Sequence, residues 1–164
     1  MATPTYKPLA TTTLGSAVAS ITFGSIPSTY RDLVVVHNVV DGALGLGLRF
    51  NGDTGSNYAE VNAGSRSTLT SSNNATRTYF RLEYLSEHPS GQVGSSITNI
   101  MDCSATDKHK IALNRNNGYE AGGVALAMNA GRWASTNAIT SVTVVATGGT
   151  LGAGSTISLY GIEA

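Results

Sequence analysis

The segment Asn51-Gly-Asp-Thr-Gly-Ser-Asn57 places side-chain oxygens at alternate positions, a spacing with which a loop can wrap a calcium ion. Asn51, Asp53 and Asn57 would be its ligands. A complete calcium loop of the helix–loop–helix type also needs a carboxylate at its twelfth position, and Asn62 stands there. The same residue types serve tight turns, because Asn and Asp bond to their own backbone and Gly opens left-handed conformations. The segment is therefore expected to be a turn, with Asn51, Asp53 and Asn57 as weak metal candidates. No cofactor is expected.

The remaining reactive groups are scattered. His37, His88 and His109 have no paired spacing of the kind zinc requires. His37 lies within an apolar run from Leu33 to Val40 and reads as a core or interface histidine. Cys103 is the only cysteine, so no intramolecular disulfide can form, and it reads as a small buried apolar residue. No Gly-x-Ser-x-Gly elbow offers a hydrolase nucleophile. Glu83 and Glu87 could be imagined as a glycosidase pair, but a strand pattern followed by a break gives them no facing geometry. Gly42, Gly45 and Gly47 do not follow the dinucleotide-binding order. Trp133 and the tyrosines at 58, 79, 84 and 119 could stack on sugars, but aromatics are only 7% of the chain, and core and interface packing accounts for them without a glycan. The expectation is a chain that is not an enzyme.

What must position these residues is a β fold. Charged residues make up 12% of the 164, hydrophobic residues 41%, and the remainder is dominated by about fifty Ser, Thr and Asn with 19 Gly. With only three Lys and five Glu the chain lacks ordinary helix-building residues, while its composition suits strands and turns. Ala19, Ile21 and Phe23 alternate with polar residues, as do Leu44, Leu46, Leu48 and Phe50. Leu33 to Val40 is apolar on both faces, as a strand covered on both sides would be. Further strands are expected over Leu9 to Leu14, Arg77 to Leu85, Ser96 to Cys103, His109 to Asn114, Gly123 to Met128, Thr140 to Ala146 and Ser155 to Ile162. Asp41-Gly42 and His88-Pro89-Ser90-Gly91 read as breaks, Asn117-Gly118 as a hairpin turn, and Ser65 to Thr76 as an exposed polar excursion.

The spacing predicts an all-β, jelly-roll-like β-sandwich of about eight to ten antiparallel strands. Residues 1–15 form an extended N-terminal arm with a first short strand, and 16–164 form a single domain that ends on its own last strand. Ten basic residues balance ten acidic ones without a run of either sign, so no nucleic-acid partner is expected. No stretch is apolar enough to span a bilayer, and the N-terminus lacks a secretory signal, which fits synthesis in a reducing cytoplasm.

Four segments carry a family resemblance. They are Ala19-Ser-Ile-Thr-Phe-Gly-Ser-Ile-Pro-Ser-Thr-Tyr-Arg-Asp-Leu-Val-Val-Val36, Leu48 to Tyr58 around the Asn51–Asn57 turn, Gly131-Arg-Trp-Ala-Ser-Thr-Asn-Ala-Ile-Thr-Ser-Val142, and Ser155-Thr-Ile-Ser-Leu-Tyr-Gly-Ile162 after a glycine-rich turn. In this order they resemble a family of structural proteins from tailed-bacteriophage virions. The resemblance implies a homotrimer that decorates the outer surface of the head as a cement protein, with the major capsid protein as partner and the host bacterial cytoplasm as its place of synthesis. Tyr6, Lys7, Leu9, Tyr30, Arg31 and Trp133 are then candidates for capsid or subunit contacts. The alternative is a tail-fibre or tail-tip protein that reads host glycan through loops near 62–76 and 87–96.

Overall fold

The computed structural model describes residues 5–40, 45–65, 69–82, 93–120 and 123–163. Every regular element among them is a strand. Their order is β1 (Tyr6–Thr13), β2 (Ser20–Phe23), β3 (Tyr30–Val40), β4 (Leu46–Phe50), β5 (Tyr58–Ser65), β6 (Leu69–Arg77), β7 (Phe80–Arg81), β8 (Val93–Met101), β9 (Lys110–Glu120), β10 (Gly123–Trp133), β11 (Val142–Ala146) and β12 (Thr156–Glu163). They pair antiparallel into an eight-stranded sheet, β1-β12-β3-β8-β9-β10-β5-β6, and a four-stranded sheet, β2-β11-β4-β7. The protein is an all-β sandwich.

The core lies where the small sheet covers the β12–β3 side of the large one. Leu33, Val35, Ile157 and Leu159 face Leu48, Phe50, Val142 and Val144, all essentially inaccessible to solvent. These are the positions that alternate in the sequence, because a strand with one buried face repeats every second residue. The intervening Ser and Thr side chains pair across strands on the outside. Thr22 and Thr143 hydroxyls lie 2.9 Å apart, and Thr11 and Ser158 lie 3.0 Å apart. This is why a chain so poor in charge is so rich in hydroxyls.

The last strand is held on both sides, by β1 and by β3. Its partner β1 begins at Tyr6, so the extended segment read as an arm is a strand of this domain's own sheet. Pro8 sits at the sheet edge beside a register shift, where its missing N–H costs no ladder bond. Gly161 of β12 is a close-approach site: a Cβ there would overlap the Tyr30 ring.

Several expectations need correction. Asn117 and Gly118 make no turn but pair within the β9–β10 ladder, opposite Leu126 and Ala125. The polar excursion after Ser65 is largely β6, an exposed edge strand paired with β5. Among the described residues of the run from Arg77, Arg77 ends β6 and Phe80–Arg81 forms β7, with Phe80 and Leu82 buried on one side as the alternation requires. β3 is covered fully on one face only, since Val36 and Val40 are half-buried on the other. Asp41-Gly42, Leu44, Glu83, Tyr84, Glu87 and His88-Pro89-Ser90-Gly91 lie outside the described residues.

On the β8–β6 side the inner face of the large sheet is apolar at one end, where Ile100, Ala112, Trp133 and Tyr58 join the core, and polar beyond it. Thr98, Asn114, Asn129, Asn62 and Ser72 stand in register across five strands. Asn114 Nδ2 donates to Thr98 Oγ1 at 2.7 Å, and Asn116 Nδ2 donates to Asn114 Oδ1 at 2.8 Å and to Leu82 O at 2.7 Å. Asn129 Nδ2 donates to Arg81 O at 3.2 Å, while Arg81 N donates to Glu60 Oε2 at 3.1 Å. Buried backbone groups must find partners, and these side chains supply them to the chain leaving β7.

Candidate functional site

The loop from Asn51 to Asn57 connects β4 to β5 and is braced from three directions. Asn51 adopts a left-handed φ of 53°, which Asn tolerates better than most residues. Its side chain turns away from the loop: Oδ1 accepts from Thr140 N at 2.8 Å and Ser141 N at 3.1 Å, and Nδ2 donates to Ala138 O at 2.8 Å. Asp53 Oδ1 accepts from Gly55 N at 2.8 Å, and Oδ2 accepts from Asn57 Nδ2 at 3.0 Å and Trp133 Nε1 at 2.6 Å. Both Asp53 oxygens are thus directed at N–H donors, and Asn57 offers its amide nitrogen.

The three metal candidates are therefore split. Asp53 and Asn57 meet in a hydrogen-bonded turn, and Asn51 ties the loop to residues 138–141. Among the described residues no group of three or more His, Cys, Asp or Glu side chains could hold a metal ion.

Asp53 also sets a pH dependence. Burial pushes its carboxyl up, but the hydrogen bonds from Trp133, Asn57 and Gly55 outweigh this and hold it below the usual carboxylate range. A depressed folded value contributes stability that is present above the unfolded value of about 4 and is lost as pH falls through the folded one. The denaturation midpoint of Asp53→Asn is accordingly expected below wild type at pH 7, with the gap closing below about pH 4. A gap that stays constant from pH 7 to 3 would show that the Asp53 charge contributes nothing.

The candidate contact residues fall into two groups. Tyr6 is exposed, Arg31 is exposed and paired with Asp32 at 2.7 Å, and Lys7 is paired with Glu163 across the β1–β12 edge. Leu9 and Tyr30 are half-buried and packed against the core. Trp133 is withdrawn as a contact: it is 3% exposed, with its ring 5.6 Å from Phe50 and 6.5 Å from Tyr58. Its size is spent inside the fold.

Cys103 is buried, its thiol pushed up to about 11 by desolvation and directed at Tyr30 O. A thiol so high carries almost no thiolate at neutral pH and is a poor nucleophile. His37 is fully buried on the inner face of β3. Glu60 is buried as well, with Arg77 Nε 2.5 Å away and Arg81 Nε 3.9 Å away.

The feature that sequence reading missed is the outer face of the large sheet. Opposite the polar inner row, the outward positions of β5, β9 and β10 carry Val61, Ile111, Leu126 and Met128, which are 60%, 52%, 64% and 53% exposed. Met128 stands beside Ala63 and Arg115, and Val61 beside Ala130. Shallow grooves of about 430 and 420 Å³ run between these rows. The face is nearly without charge: Arg115 and Arg132 are exposed on it, and the only carboxylate among the described side chains of β5, β8, β9 and β10, Glu60, points inward. The signal was present in Ile111 to Asn117 and Leu126 to Arg132, where an amide or a small residue occupies nearly every position between the large side chains.

No protein-family model matches the chain, and no curated protein matches it either. It is similar to solved structures of two variants of the alginate lyase Aly36B. One is in complex with alginate trisaccharide, with 9% identity over 94% of this chain and 80% of that one and a TM-score of 0.34. The other is in complex with alginate tetrasaccharide, with 9% identity over 94% and 79% and a TM-score of 0.30. These proteins are enzymes, so the expectation that the chain is not an enzyme is withdrawn. A likeness this distant carries no argument for a lyase activity or for alginate as a ligand.

Proposed function

We propose that this chain is a structural protein of a tailed-bacteriophage virion: a homotrimeric decoration protein that binds the major capsid protein on the outside of the head and stabilises the shell. The observation that carries the reading is the outer face of the large sheet, where four large apolar side chains stand open to solvent on a surface almost free of charge. Large apolar side chains gathered in the open on one face mark protein contacts. Burial contributes about 25 cal/mol per Å² of apolar area, and a lattice repeats each contact many times. The four-segment resemblance to virion proteins supports the same reading. The segment 62–76, assigned by the tail-tip alternative to a glycan-reading loop, is mostly the strand pair β5–β6.

The test is a binding experiment with heads that lack the protein. Purified chain is expected to co-sediment with the heads at a fixed ratio and to raise the temperature at which they rupture. Heads that neither retain the chain nor gain heat resistance would overturn the proposal.

A further inference from the structure

The geometry points to β6 as the place where an extended segment of the partner protein on the head adds as a further strand, with one of its apolar side chains seated in the groove alongside. This deepens the decoration reading and rests on it for the partner.

Among the described residues four strands have an open side: β1 and β6 in the large sheet, β2 and β7 in the small one. An open edge is a row of unpaired N–H and C=O groups that templates another strand, and folds usually blunt it. Three of these edges are blunted or short. β1 carries Pro8, a register shift and the Lys7–Glu163 pair, while β2 has four residues and β7 two. β6 has nine, with neither charge nor proline from Leu69 to Thr76. It keeps register with β5 without a break from Leu69 to Asn74, and Ser71, Ser72 and Asn73 are exposed. Such an edge recognises the backbone of an extended chain.

The groove of about 430 Å³ on the outer face begins at this edge. Asn73 and Ala75 of β6, Ala59 and Val61 of β5, Ala130 of β10 and Ile111 of β9 line it. Asn73, Val61 and Ala130 stand in one register row, so the groove runs across the strands from the edge inward. The alanines leave room, and Val61 and Ile111 stand out into solvent beside them. Side chains of an added strand alternate between the two faces, so every second one turns onto the outer face beside Asn73. An aliphatic or aromatic residue at such a position reaches the groove. Arg132 lines the groove as well, without a salt bridge among the described residues, and selects a carboxylate next to that residue. Backbone pairing then supplies affinity, and the groove supplies the choice of partner.

The test reads hydrogen exchange and binding, with phage heads that lack the protein as the probe. On the heads, amides between Thr70 and Asn74 are expected to exchange about tenfold more slowly than in the free chain. Successive N–H groups point to opposite sides of a strand, so one of Ser71→Pro and Ser72→Pro removes an open-edge donor and the other a ladder bond to β5. Circular dichroism tells them apart, since the loss of the ladder bond lowers the melting temperature. The variant that keeps its melting temperature is expected to bind heads about tenfold more weakly. Ala130→Trp, which fills the groove from an exposed position, and Arg132→Glu are each expected to weaken binding by about as much. Heads that retain the chain without slowing exchange in β6 overturn the inference and leave the proposed function standing. Full-strength binding by the folded proline variant and Ala130→Trp does the same, and full-strength binding by Arg132→Glu overturns the carboxylate. Slowed exchange in the free chain at high concentration, with a doubled mass by sedimentation equilibrium, assigns the edge to a second copy and overturns the inference as well. Heads that retain no wild-type chain overturn the proposed function and this inference together.

Discussion

Glu60→Ala is expected to lower the melting temperature by about 6–20 °C, read by circular dichroism or calorimetry at neutral pH. Glu60 is 4% exposed and lies between Arg77 and Arg81, and it also accepts from Arg81 N and Asn62 Nδ2. Removing one partner of a buried ion pair costs about 3–5 kcal/mol, because the charge left behind has lost its hydration without gaining a partner. For a chain of this length each kcal/mol is worth about 2–4 °C. The loss is large against a total stability of about 5–15 kcal/mol. Glu60→Gln also breaks the ion pair but keeps an acceptor for Arg81 N, so its loss is expected to be smaller by about 1 kcal/mol, the worth of that hydrogen bond. Equal melting temperatures for Glu60→Ala and wild type would mean that the pair does not hold β7 to the large sheet.

That residue also marks the boundary of what the sequence discloses. On the β12–β3 side and in the small sheet, Leu46, Leu48, Phe50, Ile157 and Leu159 face inward as their alternation predicts, since apolar residues there have only one place to be buried. On the β5–β10 side the same rule points the wrong way. Val61, Leu126 and Met128 would be placed in the core by any pattern reading, yet they face solvent, while Glu60, Asn62 and Asn129 face in. Alternation establishes that two faces differ and leaves open which is covered. β5 and β6 escaped notice because Ala, Gly, Ser and Asn dominate them, residues that read as loop until a ladder pairs them. Asn117-Gly118 is the converse case, a strong local turn signal overridden by the ladder around it.

The candidate site was legible in its local half. Asn, Gly and Asp at 51–53 foretold a turn, and the left-handed φ at Asn51 and Gly52 is what those residues permit. Its distant half was not legible. Asp53 is tied to a tryptophan 80 residues away, and Asn51 is tied to Thr140, 89 residues away. Such separations follow from which strands lie adjacent, and no spacing in the sequence encodes them.

Trp133→Ala, the second large effect, tests that distant half. The indole closes the end of the core against Phe50 and Tyr58 and donates to Asp53 at 2.6 Å, so its removal takes away both volume and a bond. Emptying a buried aromatic site costs about 3–5 kcal/mol, and a urea midpoint far below wild type is expected. Trp133→Phe separates the two contributions. It keeps a ring against Phe50 and loses one hydrogen bond to a charged group, at a cost of about 1.5–3 kcal/mol, while Asp53 Oδ2 still accepts from Asn57. Combining it with Asp53→Ala is expected to cost less than the sum of the two single changes, because both break one bond. Strict additivity would show that the loop is held by its own turn and by Asn51 alone. The tryptophan would then act as filler, and the 51–57 segment would remain in place without it.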